Sequence, residues 1–286
     1  MNAADAIREL AGLLARGKVV VLTGAGCSTE SGIPDYRGPE TARRARNPIQ
    51  YKAFCSESVA RERYWSRSFQ GWPRIRDAEP NAAHMALARL EAAGLVTHVI
   101  TQNVDRLHAK AGTRAVTELH GALADVRCLG CGATVGRDTL QTRLAELNPR
   151  HGADGPAALA EPAPDGDAEL LDGAGDGFVV PGCDTCGGVL KPDVVFFGES
   201  VPAARVTAAR TAIDTASAML VVGSSLAVQS GLRFVREAHA RGLPAVLLNL
   251  GPPARGEAFF TFAIDAPASP SLTALTARLG LGDAQS

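Results

Sequence analysis

The stretch that most constrains the fold is a short apolar run that ends in a glycine turn. Val19 to Leu22 form a run too short for a helix and rich in β-branched residues, which predicts a buried strand. The turn Gly24-Ala25-Gly26 follows, and then come three candidate helix caps, Ser28, Thr29 and Ser31. A strand that leads through glycines into a helix presents unpaired backbone N–H groups to an anion, so we expect a phosphate-binding turn. An ordinary tight strand-to-helix turn would give the same pattern.

The same stretch departs from the dinucleotide fingerprint G-x-G-x-x-G in two ways. Thr29 stands where the third glycine belongs, and no second strand with an acidic end follows about 20 positions later. Residues 32–38 instead have the sequence GIPDYRG, which is polar, aromatic and bracketed by glycines. We interpret this segment as a cover that closes on a nucleotide.

The six cysteines include two C-x-x-C pairs, Cys128 with Cys131 and Cys183 with Cys186. Four thiolates match the tetrahedral preference of Zn²⁺, and the absence of a histidine among them predicts a closed structural site. A redox dithiol or an iron–sulfur cluster remains an alternative. The pairs lie farther apart than the roughly 15–20 residues of common zinc modules. The intervening residues 148–177 are rich in Gly, Ala, Pro and Asp, which indicates a long mobile loop.

Length and charge limit the classes of function. A chain of 286 residues can form one large or two small domains. A formal charge of −1 does not indicate a basic surface for nucleic acid or anionic lipid. No apolar run approaches the ~20 residues of a membrane span. The N-terminal segment has helical apolar spacing and no signal-peptide core, so we expect a docking helix and a cytoplasmic protein.

Later segments alternate between strand and helix patterns. Strands are predicted at Val96–Thr101, Ala218–Gly223 and Ala245–Leu250, with helices between them. This alternation is typical of a parallel sheet. Gln102, Asn103 and Asp105 follow the first of these strands, where open α/β sheets bind ligands, although Asn and Asp are also common helix caps.

Several motifs, in this order along the chain, resemble those of the sirtuins, the NAD-dependent protein deacylases. They are GAGCSTESGIPDYRG from Gly24, Thr101–Asp105, His120-Gly121, both cysteine pairs, KPDVVFFGE from Lys191, Gly223–Ser225 and Asn249–Gly251. Together they span roughly Val19 to Pro267. The DYR variant and LKPDVVFFGES resemble most the class II branch, which contains the mitochondrial sirtuin 4.

The resemblance implies a set of site residues. His120, whose imidazole can take a proton near neutral pH, and Asn103 would be catalytic. Acyl-lysine would bind at Val195, Phe197 and Gly198, and one structural Zn²⁺ at Cys128, Cys131, Cys183 and Cys186. NAD, consumed as a co-substrate, would contact Gly24, Ala25, Gly26, Ser28, Pro34, Asp35, Tyr36, Arg37, Gln102, Asp105, Gly223, Ser224, Ser225, Asn249, Gly251 and Ala266.

Two further segments resemble parts of particular sirtuin branches. Tyr64 and Arg67 resemble the Y-x-x-R pair that holds acidic acyl groups in desuccinylating sirtuins, and a phenol and a guanidinium one helical turn apart can clamp a carboxylate. A helix with an aromatic core face and a solvated arginine is the alternative. Residues 165–169 resemble an acidic piece of a loop near the active site, and a solvated surface loop is the alternative there.

These observations predict a Rossmann-like α/β protein of two discontinuous domains. The large NAD-binding domain would comprise residues 1–38, 82–124 and 190–286. A smaller lobe would combine a helical module, 39–81, with a zinc module, 125–189, and the substrates would meet between the lobes. The expected reaction converts NAD and acylated-lysine proteins or peptides to nicotinamide, free lysine and O-acyl-ADP-ribose. Mono-ADP-ribosyl transfer, NAD hydrolysis, a dehydrogenase and a zinc-ribbon binding module are the alternatives, and the sequence does not indicate an oligomeric state.

Overall fold

A computed structural model describes residues 2–35, 48–151, 161–162, 168–169 and 177–282. Tyr36, Arg37 and most of the predicted loop 148–177 lie outside the described residues. The chain forms two compact units. Unit 1 comprises Met1–Ala42, Glu79–Leu119 and Val201–Ser286, and unit 2 comprises Arg43–Ala78 and His120–Ser200.

The helices and strands are numbered in chain order. The helices are α1 (Ala3–Leu14), α2 (Tyr51–Ser56), α3 (Ser58–Asp77), α4 (Ala82–Ala92), α5 (Leu107–Lys110), α6 (Arg137–Leu147), α7 (Ala203–Asp214), α8 (Gln229–Ala240) and α9 (Ala268–Arg278). The strands are β1 (Val19–Thr23), β2 (Val96–Thr101), β3 (Val116–Glu118), β4 (Gly121–Cys128), β5 (Thr134–Gly136), β6 (Glu161–Pro162), β7 (Ala168–Glu169), β8 (Leu190–Val194), β9 (Ala218–Val222), β10 (Ala245–Asn249) and β11 (Phe262–Asp265).

Unit 1 contains a six-stranded sheet in the order β11-β10-β9-β1-β2-β3, with every neighbouring pair parallel. All five residues of β1 are buried because helices cover both faces. Val19 and Val21 pack with α1, α4 and α9, whereas Val20 and Leu22 pack with α7 and α8. A strand buried on both faces needs a continuous apolar run, and the sequence supplies one. The predicted α/β fold with a parallel sheet is confirmed.

The turn after β1 differs from its prediction. Two short 3-10 turns, Ala25–Cys27 and Thr29–Ser31, stand where a helix start was expected. The prediction of Ser28 as a helix cap is wrong, because its side chain makes no capping hydrogen bond. The Ser28 hydroxyl instead bonds to residues that follow β2, as described below.

Unit 2 contains a three-stranded antiparallel sheet in the order β5-β4-β8. Its apolar core combines aromatic side chains of α2 and α3, including Phe54 and Trp65, with residues of β4, α6 and β8. Strand β8 contains Pro192, which cannot donate to a sheet and suits the edge position that β8 occupies.

Helix α3 passes through Pro73 without ending. Proline lacks the N–H that would bond the carbonyl four residues earlier, which belongs to Phe69. The Gln141 side chain of α6 donates to that carbonyl at 2.9 Å. Next to it, the buried Arg137 donates to the Ser68 carbonyl at 3.2 Å, and its guanidinium lies 5.4 Å from the ring centroids of both Trp65 and Trp72. Gln141 of α6 therefore supplies the one donor that Pro73 removes from α3.

Among the described residues, the contact-based units differ from the predicted domain division in three segments. Residues 79–81 belong to unit 1, and residues 120–124 and 190–200 belong to unit 2, because β4 and β8 pair with each other. The remainder of the predicted division stays a prediction. No helix among the described residues is long and apolar enough to cross a membrane.

Candidate functional site

The carboxyl ends of the strands of unit 1 meet at one edge of the sheet. Strand β1 pairs with β2 on one side and with β9 on the other, so the strand order reverses beside β1. Open α/β sheets bind ligands at this reversal. The predicted NAD residues of unit 1 follow these strand ends: Gly24–Ser28 follow β1, Gln102–Asp105 follow β2, Gly223–Ser225 follow β9, Asn249–Gly251 close β10, and Ala266 follows β11.

Glycines at this edge allow two backbone segments to touch. The Gly26 N–H donates to the Gly223 carbonyl at 2.8 Å. A Cβ atom on Gly24 would lie 2.8 Å from the same carbonyl, and one on Gly223 would lie 2.3 Å from the Cys27 nitrogen. Gly223 also has a positive φ of 59°. Any side chain at these positions would separate the turn after β1 from the turn after β9.

The backbone N–H groups of the turn after β1, which we expected to be unpaired, already form hydrogen bonds within the protein. The N–H groups of Gly24, Gly26, Cys27 and Ser28 donate to the carbonyls of Val222, Gly223, Gly24 and Ala25. The expectation of unpaired N–H groups is therefore wrong for these positions, because these groups donate to carbonyls of the 3-10 turn and of the end of β9.

Gln102 links the ends of β1, β2 and β9. Its Nε2 atom donates to Ser224 Oγ at 2.8 Å and to the Thr23 carbonyl at 3.3 Å. A Cβ atom on Gly231 would lie 2.4 Å from Gln102 Oε1, so α8 has a notch for this side chain. Gly231 was not predicted from the sequence. Its signal is a glycine within the first turn of a helix, where a residue with a lower helix propensity than alanine needs a reason.

Ser28, Asn103 and Asp105 form one buried network. Asn103 Nδ2 donates to Ser28 Oγ at 2.9 Å and to the Gly24 carbonyl at 3.1 Å. The Ser28 hydroxyl donates to Asp105 Oδ2 at 2.7 Å, and Asp105 Oδ1 accepts the Leu107 N–H at 2.9 Å. Asn103 and Asp105 are only 9% and 8% exposed. The network holds an amide and a carboxylate at the carboxyl end of β2 in fixed orientations.

Two buried histidines lie behind this network. His84 contacts Ser28 Oγ through Nε2 at 3.4 Å, and its Nδ1 lies 2.9 Å from Asn81 Oδ1. His108 Nε2 lies 2.9 Å from Thr23 Oγ1, and the two rings pack edge to face at 4.8 Å. Burial, with a smaller effect of His84, lowers the pKa of His108 to about 3. Burial also lowers the pKa of His84, against an opposing effect of Asp105. Both imidazoles are therefore neutral at pH 7 and are packed inside unit 1.

The sequence favours a role as small buried residues for the two cysteines outside the pairs, Cys27 and Cys55. This is confirmed for Cys27, which lies with these histidines and is 1% exposed, and it is wrong for Cys55, which is exposed. Burial raises the pKa of the Cys27 thiol, with smaller contributions from Asp105 and Glu30. A protonated buried thiol of this kind is inert.

At the far end of the sheet edge, Asp265 holds the turn after β10. The Gly251 N–H donates to Asp265 Oδ1 at 2.8 Å, and Asn249 Nδ2 donates to the Gly251 carbonyl at 3.0 Å. A pocket of about 370 Å³ opens here, and Leu247, Asn249, Gly251, Phe262 and Asp265 are among its lining residues. Asn249 and Gly251 therefore line this pocket, and their contact with NAD stays a prediction.

Pro34 and Asp35 follow the second 3-10 turn, and both are half-buried. They are the last described residues of the predicted cover, residues 32–38.

The four paired cysteines of unit 2 lie together, with all sulfurs within 4.8 Å of one another. Sγ atoms of Cys128 and Cys186 are 3.5 Å apart, and those of Cys131 and Cys183 are 3.8 Å apart. A tetrahedron with Zn–S bonds of about 2.3 Å has sulfur–sulfur edges of about 3.8 Å. The cluster therefore fits one Zn²⁺. The backbone N–H groups of Cys131 and Gly130 help lower the pKa of Cys128 to about 6, which favours the thiolate that a metal needs.

Glycines shape the two turns that hold the sulfurs. Gly132 and Gly187, each of which directly follows a cysteine pair, have positive φ values of 75° and 72°. Gly188 was not predicted from the sequence, and a Cβ atom there would lie 3.1 Å from both Cys128 Sγ and Cys186 Sγ. A side chain at Gly188 would therefore press against two sulfurs of the cluster.

The other predicted residues of unit 2 surround the start of β4 and the end of β8. His120 is half-buried, and its carbonyl accepts the Val195 N–H at 2.8 Å. Strand β8 ends at Val194, and the Phe197 carbonyl accepts the Tyr51 N–H at 2.9 Å. Phe197 is 43% exposed, and Gly198 has a positive φ of 80°. The predicted acyl-lysine residues thus lie in a bend beyond the strand, where Val195 is half-buried and Phe197 and Gly198 are exposed.

Tyr64 lies in the aromatic core of unit 2 and is 5% exposed. Its ring centroid lies 5.5 Å from Phe54, 5.2 Å from Trp65 and 5.1 Å from Phe196. Arg67 is half-buried one turn later. These contacts agree with the alternative of an aromatic core face, and the acyl-binding role of the pair stays a prediction.

The parallel sheet, the glycine contacts and the polar strand ends define a Rossmann-like α/β protein of the nucleotide-binding class. Residues 24–230 match the model of the Sir2 family. The NAD-dependent protein deacetylase of Xanthomonas axonopodis pv. citri is 54% identical over 235 residues, which cover 82% of this chain and 78% of that protein. The NAD-dependent protein deacetylase 1 of Mycobacterium avium is 49% identical over 275 residues, 95% of each chain. The chain therefore belongs to the Sir2 family.

Solved structures agree in fold. A Sir2 complex with a p53 peptide and NAD⁺ is 30% identical, with a TM-score of 0.78, and the match covers 96% of this chain and 99% of that one. A structure of Sir2 bound to an acetylated peptide matches with a TM-score of 0.76 at 28% identity, over 96% of this chain and 99% of that one. The sirtuin resemblance is confirmed, while the sirtuin 4 branch stays a prediction.

The buried histidines make unit 1 sensitive to acid. Because the folded pKa of His108, about 3, lies below its ordinary value of 6.5, the unfolded chain takes up the proton first. Stability from this group is present above pH 6.5 and is lost as pH falls towards 3. We expect the free energy of unfolding to fall by up to about 1.4 kcal/mol per pH unit in this window. Urea unfolding of wild type and His108→Asn, followed by far-UV circular dichroism at pH 7 and pH 5, tests this. Equal pH dependence in both proteins would contradict it.

Loss of one thiolate should release the zinc and unfold unit 2. We expect Cys128→Ala to lose the metal and the buried fluorescence of Trp65 and Trp72, because metal binding is coupled to folding. The matched control is Cys55→Ala, at an exposed free cysteine of the same unit. Metal content and tryptophan emission check the outcome. A metal-free Cys128→Ala protein with native emission would remove the structural role of zinc.

Proposed function

We infer that this chain is an NAD-dependent protein lysine deacylase. The observation that carries this inference is the fixed Ser28–Asn103–Asp105 network at the sheet edge of a chain 54% identical to a named NAD-dependent deacetylase. The reaction consumes one water molecule, transfers the acyl group of a modified lysine to the ADP-ribose part of NAD, and releases nicotinamide and free lysine. NAD is therefore a substrate.

Acylated-lysine proteins or peptides are the proposed partners. Their support is that similar Sir2 structures hold a p53 peptide or an acetylated peptide. We propose a cytoplasmic location. We also propose no direct role in nucleic-acid binding, because the formal charge is only −1.

In this proposal, different residues of unit 1 contact different parts of the dinucleotide. Asn103 and Asp105 hold the nicotinamide end, with the Asp105 carboxylate oriented by Ser28 and by the Leu107 N–H. Gln102 and Ser224, bonded to each other, lie in the middle of the edge and offer polar groups to ribose and phosphate. Asn249 and Gly251 line the pocket at the far end, where an adenine ring would fit. The remaining proposed NAD contacts are Gly24, Ala25, Gly26, Pro34, Asp35, Tyr36, Arg37, Gly223, Ser225 and Ala266.

The residues of unit 2 supply the base and the peptide contacts. His120 takes the proton of a ribose hydroxyl, and the oxygen of that hydroxyl then attacks the acyl carbon of the modified lysine. Val195, Phe197 and Gly198 bind the peptide backbone and border the acyl chain, as a bend beside a strand can do for an extended peptide. Cys128, Cys131, Cys183 and Cys186 would hold Zn²⁺, which supplies structure only, since four thiolates leave no open position.

Removal of the base should abolish turnover. We expect His120→Ala to lower deacylation of an acetyl-lysine peptide by at least about 10²-fold, the usual loss for a general base. His239→Ala, at an exposed histidine, is the matched control and should keep full activity. Mass spectrometry of the products with NAD also distinguishes O-acyl-ADP-ribose from ADP-ribosylated protein and free ADP-ribose. Near-normal turnover in His120→Ala would exclude this histidine as the base.

Acyl preference tests Tyr64 and Arg67. If the pair clamps an acidic acyl group, wild type prefers succinyl- or glutaryl-lysine to acetyl-lysine. Arg67→Ala then lowers kcat/KM for the acidic substrates by about 10-fold or more, the value of a charged hydrogen bond, and spares acetyl-lysine. Arg63→Ala, at an exposed arginine of the same helix, is the control. An equal loss for both kinds of substrate would assign the pair to core packing.

A further inference from the structure

Lys191 is a buried lysine in the segment that leads to the proposed peptide contacts. It is 4% exposed, whereas Lys18, Lys52 and Lys110 are exposed. Buried lysines need a partner for every donor, because an unpaired ammonium in an apolar environment is strongly unfavourable. The surroundings of Lys191 therefore indicate what its charge is for.

Each of the three donors of the Lys191 ammonium finds an acceptor within the segment. Nζ forms an ion pair with Glu199 Oε2 at 2.9 Å. It also donates to the carbonyls of Pro192, at 3.3 Å, and Val194. The ring of Phe196 lies 4.4 Å from Nζ and that of Tyr51 5.7 Å, so two aromatic faces complete the shell.

Glu199 closes the same bend from its other end. Its Oε2 atom accepts the Phe196 N–H at 2.8 Å, and its own N–H donates to the Phe196 carbonyl at 3.0 Å. Lys191 stands before the bend and Glu199 after it, so their ion pair joins the two ends. The residues enclosed are Val195, Phe197 and Gly198, the proposed peptide contacts.

Stability alone gives a weak reason for this pair. Burial lowers the pKa of Lys191, while Glu199 opposes that shift, so the charge is held at a desolvation penalty. Apolar residues of similar size often replace buried ion pairs with equal or better stability. A geometric role explains the pair better, because directional donors fix a bend that apolar packing would leave variable.

We propose that Lys191 and Glu199 are positioning residues for the acyl-lysine peptide. Their ion pair holds the bend from Val195 to Gly198 in the shape that binds substrate. The bend in turn contacts the backbone of the proposed base, since the Val195 N–H donates to the His120 carbonyl at 2.8 Å. This inference rests on the proposed function.

The test compares peptide and NAD affinity in zinc-loaded variants. Lys191→Met removes the charge and keeps the length, Glu199→Gln keeps an acceptor for the Phe196 N–H, and Lys191→Arg keeps the charge. We expect the first two to weaken binding of a fluorescent acetyl-lysine peptide by at least tenfold with NAD affinity unchanged. Lys191→Arg should recover most of that loss. Lys52→Met, at an exposed lysine of α2, is the matched control and should bind like wild type.

Folding is followed in the same samples by the emission of Trp65 and Trp72 and by zinc content, both of which should stay native in Glu199→Gln. Native peptide affinity in Lys191→Met and Glu199→Gln would overturn the inference. So would an equal loss of peptide and NAD affinity, or a loss that only accompanies unfolding. If wild type itself neither binds nor deacylates acyl-peptides, the proposed function fails first, and that result is distinct from a failure of the positioning pair.

Discussion

Unit 1 depends on the contact between the turn after β1 and the turn after β9. Parallel pairing brings Thr23 and Val222 side by side, and the next residues, Gly24 and Gly223, meet without side chains between them. This approach lets Gln102 reach Ser224 and lets Asn103 reach the Gly24 carbonyl. A bulkier residue at either glycine would separate the strand ends and release the polar groups they hold. Hence the sheet pairing, the glycines and the polar network form one arrangement.

Ser28, Asn103 and Asp105 at this edge bond to each other rather than to solvent. The Ser28 hydroxyl accepts a hydrogen bond from Asn103 and donates one to Asp105. Neutral His84 and His108 stand behind it and exclude water from that side. Groups fixed in this way need little reorganisation when a ligand arrives, which is the physical basis of preorganised binding.

The three-stranded sheet of unit 2 offers little surface for an apolar core. Aromatic packing around Phe54 and Trp65 and the four-cysteine cluster supplement this sheet, and two cations are held in the interior of the unit. Arg137 lies between two tryptophan rings, and Lys191 lies under Phe196. Both cations donate to backbone carbonyls, Arg137 to that of Ser68 in α3 and Lys191 to those of Pro192 and Val194 near the end of β8, so each fixes the chain path at that place.

The sequence by itself determined the parallel sheet, the bounds of β1, β2, β9 and β10 to within one residue, and the two cysteine pairs, because apolar periodicity and short motifs are local properties. It was wrong about the helix after β1, since the Ser28 hydroxyl bonds to Asp105 rather than capping a helix. Only the tertiary structure revealed the notch at Gly231, the Gln141 donor to Phe69, the histidine pair and the Lys191–Glu199 ion pair. Most of these contacts join residues distant in the chain, and even Lys191 and Glu199 meet only because the intervening bend folds back. No local pattern records which side chains such folding brings together.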